Sequence, residues 1–413
     1  MTSDTALRED ARQRIAQIGH ADIVVGTPSY NNAGTVDHVV QAASEGMVKY
    51  FPDLKPALIN SDGGSDDGTR QTVLDTPVPE GVETVATEYR GLPGKGSAFR
   101  TVFEAARDLG ASVCVVVDSD LRSITPEWIR RLAGPIIEQG YGYVTPHYVR
   151  HKYDGTITNN ICYPMTRMLY GLEVRQPIGG DFGLSGELLD HYLAQDVWQT
   201  DVARFGIDIW MTTTAINAGF DICQAQLGAK IHDAKDPSEA LGPMFRQVVG
   251  TLFGLMETYE DNWKTVRGSE PAPVIGERRD VSPEPVPVSL SSMIEKLRRG
   301  GEEWRSFWEH FLSAENQSRL EAILAQSDDQ YSFAAEQWAP IVFDFAVAYN
   351  KSGLSQERII NSMTPLYYGR TAGLVVESQD MDKDTFEREV IQAQARVFES
   401  LKPQLLKRWE QAG

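Results

Sequence analysis

The strongest constraint on this chain is a set of short β-branched runs that are apolar at nearly every position. They are Asp22–Thr27, Ala57–Asn60 and Ser112–Val117. A strand with one wet face alternates apolar and polar residues. One that is apolar on both faces is covered above and below, as in a parallel sheet between helices. Helix-spaced residues lie between the runs: Val36, Val39, Val40 and Ala43, then Ala98, Phe99, Val102, Phe103, Ala106 and Leu109, with Gly110 as a stop. Pro126 suits the first turn of a further helix through Trp128, Ile129 and Leu132. Strands alternating with helices predict an α/β sheet with right-handed crossovers.

The 413 residues are enough for two or more domains. Five prolines between Ser269 and Val288 read as a linker or meandering surface segment. Beyond it Met293, Leu297, Trp304, Phe307 and Phe311 keep helical spacing, as do Trp338, Val342, Phe345 and Tyr349. The expected division is an α/β domain over 1–265 with a short helical extension at 1–20, a linker at 266–288 and a helical domain over 289–413. A net charge of −19 disfavours nucleic acid and anionic membrane as partners. The longest strongly apolar run, 111–117, is far short of the roughly 20 residues of a membrane helix. The start is polar and acidic without a secretory pattern, and three scattered cysteines form no disulfide or zinc pattern, so the cytoplasm is the expected location.

Three chemistry-bearing segments follow strands. Asp118-Ser119-Asp120 places two carboxylates at a strand end, where a hard divalent cation such as Mg²⁺ or Mn²⁺ can be held. Gly91-Leu92-Pro93-Gly94-Lys95-Gly96-Ser97 precedes a helix and offers close backbone approach and a lysine to a phosphate, without P-loop spacing. Asn60 through Thr69, with Asp62 at its start, can hydrogen-bond a base or ribose. Each also has a bland reading as a capped turn, but the three together are far less expected by chance.

In this order the segments resemble the nucleotide-sugar glycosyltransferases of the GT-A fold, a Rossmann-like, mostly parallel sheet, here followed by a mainly helical domain. Thr27-Pro28-Ser29-Tyr30-Asn31 looks like their opening loop and Asp118-Ser119-Asp120 their metal-binding DxD. Gln176-Pro177-Ile178-Gly179-Gly180, Gly206-Ile207-Asp208 and Lys230-Ile231-His232 are similar to the retaining enzymes that glucosylate or mannosylate glycerate or 3-phosphoglycerate. The resemblance implies Asp120, His232 and Asp118 around Mg²⁺ or Mn²⁺. It implies a donor site with Pro28, Tyr30, Asn31, Asp62, Gly94, Lys95, Asp118, Ser119, Gly180 and Asp181. It also implies catalytic roles for Asp208, Lys95 and Asp120.

Arg150, Asp154 and Thr158 resemble the glycerate-binding segment of that group, with Gly179 and Asp208 beside it. Arg150 suits a carboxylate, and the other two suit hydroxyls. A glycine at 179, where the phosphoglycerate enzymes resemble a serine pattern, favours free D-glycerate. Arg150, His151 and Lys152 keep 3-phosphoglycerate open. The implied donor is UDP-, GDP- or ADP-glucose or GDP-mannose, and the implied product a hexosyl-glycerate compatible solute, made by an enzyme that can form a homodimer. A sugar nucleotidylyltransferase and a non-catalytic nucleotide-sugar binder are the competing classes. The first lacks its glycine-rich loop after strand one, and the second does not need the acidic and basic residues retained here.

Overall fold

The computed structural model describes residues 5–232, 241–278, 281 and 283–412. In chain order the strands are β1 Ile23–Ser29, β2 Pro56–Asp62, β3 Glu83–Glu88, β4 Val113–Val116, β5 Tyr143–Val149, β6 Leu172–Glu173, β7 Phe182–Ser185, β8 Ile222–Ala229, β9 Glu270–Pro271 and β10 Val274–Ile275. Eight form one sheet in the order β10-β8-β5-β7-β4-β1-β2-β3, while β6 and β9 pair separately. Every pair in the large sheet is parallel except those of β7, which runs antiparallel to β4 and β5. This is the mostly parallel α/β architecture expected from the sequence.

The two-faced apolar strands are explained by what covers them. On one face Ile23, Val25, Leu58, Val113 and Val115 join Val36, Val39, Val40, Trp128, Ile129 and Leu132 in a single core. Those residues come from helices Val36–Tyr50 and Pro126–Gln139, the second opened by its proline as anticipated. On the other face lies helix Lys95–Asp108. A Cβ on Gly26 of β1 would lie 2.2 Å from Val102, so the glycine lets helix and strand touch.

The chain divides into two compact units. One comprises 1–150, 174–233 and 272–283, and the other 151–173, 234–271 and 284–413. The Pro-rich stretch is thus shared. Ala272 and β10 belong to the first unit, where β10 extends the sheet beside β8 and Gln224 Nε2 donates to Ala272 O at 3.1 Å. Prolines are tolerated there because an edge strand needs fewer ladder donors.

The second unit is mainly helical, built on Gly242–Thr258, Leu290–Trp308, Ala335–Lys351, Gln356–Ser378 and Gln392–Ala412. Residues 151–173 are part of its core. Thr156 Oγ1 and Tyr367 Oη are 2.6 Å apart, Trp338 Nε1 donates to Asn160 O at 2.8 Å, and Arg167 pairs with Glu399 at 3.0 Å. Buried Asp344 accepts from Asn316 Nδ2 at 2.6 Å and pairs with Arg408. Phe307 and Phe311, which keep helical spacing in the sequence, pack edge to face, and Phe311 continues onto Phe345. No helix among the described residues is long and apolar enough to cross a membrane.

Candidate active site

The C-terminal ends of the parallel strands point to one edge of the sheet, where α/β folds present their ligands. Because β7 runs the other way, its N-terminal end lies at this edge too. The loops after β1, β2 and β4 are laced together there. Asp62 is fully buried and accepts from Ser29 Oγ, Ser65 Oγ, Gly64 N and Ser65 N, all within 2.9 Å. Asn31 takes a left-handed φ of +54°, held by its own N–H on Ser65 Oγ and by Asp66 N–H on its Oδ1. Ser119 Oγ donates to Asn32 Oδ1 at 2.8 Å, and Thr35 Oγ1 donates to Ser119 O at 2.9 Å. Asp62, with four donors already on its carboxylate, anchors this loop system. Tyr30 is exposed, at 64%, and Pro28 lies buried in β1.

The glycine-rich loop is shaped by contact. Gly94 N–H donates to Tyr89 Oη at 2.9 Å, and a Cβ on Gly96 would lie 1.8 Å from Val202 O. Lys95 opens the following helix, and its Nζ lies 2.8 Å from Asp118 Oδ1 and 3.7 Å from Asp208 Oδ1. Burial alone would lower the pKa of this amine. Asp118 and Asp208 outweigh that and hold it protonated. Burial likewise works against the Asp118 carboxylate, but Lys230 and Lys95 depress its pKa strongly.

Asp118 N–H donates to Asp181 Oδ1 at 2.8 Å, and Gly180 N–H donates to Asp208 Oδ2 at 2.9 Å. Asp208 sits in helix Ile207–Asn217, where burial raises its pKa. Gly180 has φ +88°, and a Cβ there would lie 2.1 Å from Asp118 Oδ2. At Gly179 a Cβ would lie 2.4 Å from Pro146, so packing leaves no room for a side chain there.

Of the three expected metal ligands, two come together. Asp120 Oδ2 lies 3.9 Å from His232 Nδ1, while both oxygens of Asp118 engage lysines instead. No group of three or more His, Cys, Asp or Glu side chains converges as a metal site among the described residues. The pair nevertheless fits a cation that completes its shell with substrate oxygens and water, the usual habit of Mg²⁺. Burial first, and then the charge of Asp118, push the Asp120 pKa up. Two ammonium groups face the carboxylates of Asp118, Asp181 and Asp208, with Asp120 nearby, so the cluster carries surplus negative charge.

The expected acceptor residues are placed on different units. Arg150 follows β5, with its guanidinium 5.8 Å from the centre of the Tyr148 ring. Asp154 and Thr158 belong to the helical unit, where Thr158 is buried and opens a single π-turn, Thr158–Cys162. Lys152 Nζ donates to Ser378 O, Gln379 O and Met381 O at 2.5, 2.8 and 3.1 Å. His151 has its pKa lowered by burial and by Lys152.

Sequence reading missed Lys230 as a site residue, although its motif had been noted. Its signal is position: a lysine one residue past the end of a buried strand, and itself buried where lysines seldom are.

Residues 24–183 match the family described as Glycosyl transferase family 2. With the mostly parallel sheet and its helical partner unit, this defines a GT-A glycosyltransferase domain, and the protein is a glycosyltransferase. More narrowly, the chain is similar to the glucosyl-3-phosphoglycerate synthase of Petrotoga mobilis, 24% identical over 257 residues, 57% of this chain and 74% of that protein. Solved structures of glucosyl-3-phosphoglycerate synthase from Mycobacterium tuberculosis are also similar. The one with Mg²⁺ and uridine diphosphate is 24% identical with a TM-score of 0.45, covering 60% of this chain and 84% of that one. The one with Mn²⁺, UDP-glucose and phosphoglyceric acid is 24% identical with a TM-score of 0.44, covering 60% and 85%.

Proposed function

We propose that this protein is a metal-dependent retaining glycosyltransferase that moves glucose or mannose from a nucleoside diphosphate to the 2-hydroxyl of D-glycerate. The observation that carries the reading is the convergence of Lys95, Asp118 and Asp208 at the sheet edge, next to the Asp120–His232 pair. Asp120 and His232 would hold the Mg²⁺ or Mn²⁺, with the sugar nucleotide's phosphate oxygens completing its shell. When bound, the ion supplies charge neutralisation for the departing diphosphate.

Lys95 adds a fixed positive charge beside the same leaving group. Such preorganised charge is commonly a large catalytic contribution. Asp208 has Oδ2 committed to the Gly180 amide and Oδ1 facing Lys95. That supports a holding role on a sugar or acceptor hydroxyl, with same-face attack and the leaving diphosphate taking the acceptor proton. Double displacement would need this carboxylate turned to the anomeric carbon.

For the acceptor, Arg150 suits a carboxylate, and Asp154 and Thr158, which belong to the other unit, are each of a type that suits hydroxyls. Lys152 has all three ammonium hydrogens directed at carbonyls, and His151 is biased to neutrality. That leaves fewer free donors for a phosphate and supports glycerate. The names of the relatives favour the second reading, 3-phosphoglycerate as acceptor. The deciding experiment supplies Mn²⁺ or Mg²⁺, either acceptor, and UDP-, ADP- and GDP-linked glucose and mannose, with products identified by mass spectrometry. Metal-dependent hexosyl-glycerate, lost in Asp120→Ala, is the expected result. Product with 3-phosphoglycerate alone would establish the second reading.

A further inference from the structure

The mechanism above makes no use of Lys230, yet this is among the most deeply placed charges in the sheet unit. Its side chain is 3% exposed. An ammonium has three hydrogens to donate, and each finds an acceptor: Asp118 Oδ2 at 2.8 Å, Gly179 O at 2.8 Å and Asp181 Oδ2 at 3.0 Å. Tyr148 supports the same knot, donating its one hydroxyl hydrogen to Asp181 Oδ2 with its Oη 3.3 Å from Gly179 O, and Lys230 Nζ lies 5.2 Å from its ring centre.

Two arms leave the knot, and both end on groups given catalytic roles above. Through Asp118 the contact runs on to Lys95 at 2.8 Å. Through Gly179 it runs to the Gly180 amide, which donates to Asp208 Oδ2. Four strand ends are joined in this way: β4 by Asp118, β5 by Tyr148, β7 by Asp181 and β8 by Lys230 itself.

We propose that Lys230 is a positioning residue for glycosyl transfer, clamping the Gly179–Asp181 turn onto Asp118 and so fixing Lys95 and Asp208 around the reacting bond. The inference rests on the site assignment of the preceding section but not on the identity of the acceptor. Lysine suits the task because a single ammonium can be shared by two carboxylates and a carbonyl. The planar fork of arginine does not offer that geometry.

A merely structural role, balancing two buried carboxylates for the sake of folding, is the competing explanation. Lys230→Met and the charge-compensated pair Lys230→Met/Asp181→Asn separate the two. Melting temperature, hydrogen exchange of the amides at Asp118 and Gly180, kcat and donor KM are measured for each. In Lys230→Met the two amides are expected to exchange faster. kcat falls about a hundredfold, the size of loss that a misplacement near 1 Å produces. Donor KM changes by less than about threefold, as for an interaction made chiefly in the transition state.

The paired variant regains melting temperature but not kcat. Recovery of both together would overturn the proposal, as would unchanged exchange at Gly180 in Lys230→Met. Should the single variant fail to fold, kcat of the paired variant decides. Wild-type protein is assayed in parallel with glycerate, with 3-phosphoglycerate, and with water as the sole acceptor, the last read as nucleoside diphosphate release. Wild type that transfers to neither acid counts against the acceptor reading alone. The variants are then compared by diphosphate release and amide exchange.

Discussion

At the scale of single residues, the site is governed by where side chains cannot go. Gly180 combines a left-handed φ with a neighbour that leaves no room for a Cβ. Gly180→Ala should therefore cost about 1–3 kcal/mol, the usual range for strain of this kind, and should lower turnover about a hundredfold by displacing Asp118. Denaturant unfolding and steady-state rates check the two parts separately. Lys95 and Asp118 were legible as candidates because each lies in a short segment whose composition suits phosphate or metal, whereas Asp208 was legible only through the family resemblance of Gly206-Ile207-Asp208. That they converge was not legible, since nothing in the sequence fixes the distance between positions 95, 118 and 208. Lys230 was quoted within its motif but given no role, because its partners Gly179 and Asp181 lie some fifty residues away in the chain.

Among the elements, β1, β2 and β4 were readable because burial on both faces leaves an unbroken apolar run. By contrast β7 reads Phe-Gly-Leu-Ser, and its Gly183 is imposed by Leu132 O, 2.2 Å from where a Cβ would sit. Such packing is invisible to periodicity. Helix Gln356–Ser378 is capped by a lysine from far away in the chain. Lys152→Met should lower stability by about 1–2 kcal/mol, the worth of one or two such hydrogen bonds, while KM for 3-phosphoglycerate stays unchanged. A raised KM would show that this ammonium serves a phosphate after all.

Glu260, in helix Glu260–Trp263, accepts from Lys264 and from Lys351 Nζ at 3.1 Å. Burial opposes its ionisation, but these hydrogen bonds prevail and bring its pKa down to about 2. A depressed carboxylate contributes stability above its ordinary pKa of 4.5 and loses it as pH falls toward 2. Glu260→Gln should accordingly lower the melting temperature at pH 7, with the difference from wild type shrinking between about pH 4.5 and pH 2.

For the molecule as a whole, ligand binding and stability are linked. A nucleoside diphosphate with Mn²⁺ at about a hundred times its dissociation constant should add about 2.7 kcal/mol to the unfolding free energy. The matching rise in melting temperature should be lost when the metal is chelated, and in Asp120→Ala. A metal-independent shift of equal size would argue against Asp120 and His232 as ligands.

The contiguous plan drawn from composition, a sheet domain followed by a helical one, captures the order of elements but not the path of the chain. Among the described residues the polypeptide passes between the two units at 150/151, 173/174, 271/272 and 283/284. A truncation near residue 265 would therefore do more than remove an appendage. It would leave Tyr163, Arg167 and Thr156 without Gln392, Glu399 and Tyr367, their partners from the later helices. Such a fragment would display a raw apolar face and aggregate. The catalytic half of this enzyme is thus not a separable module that can be excised, swapped or fused at will, and its C-terminal helices are inherited with it.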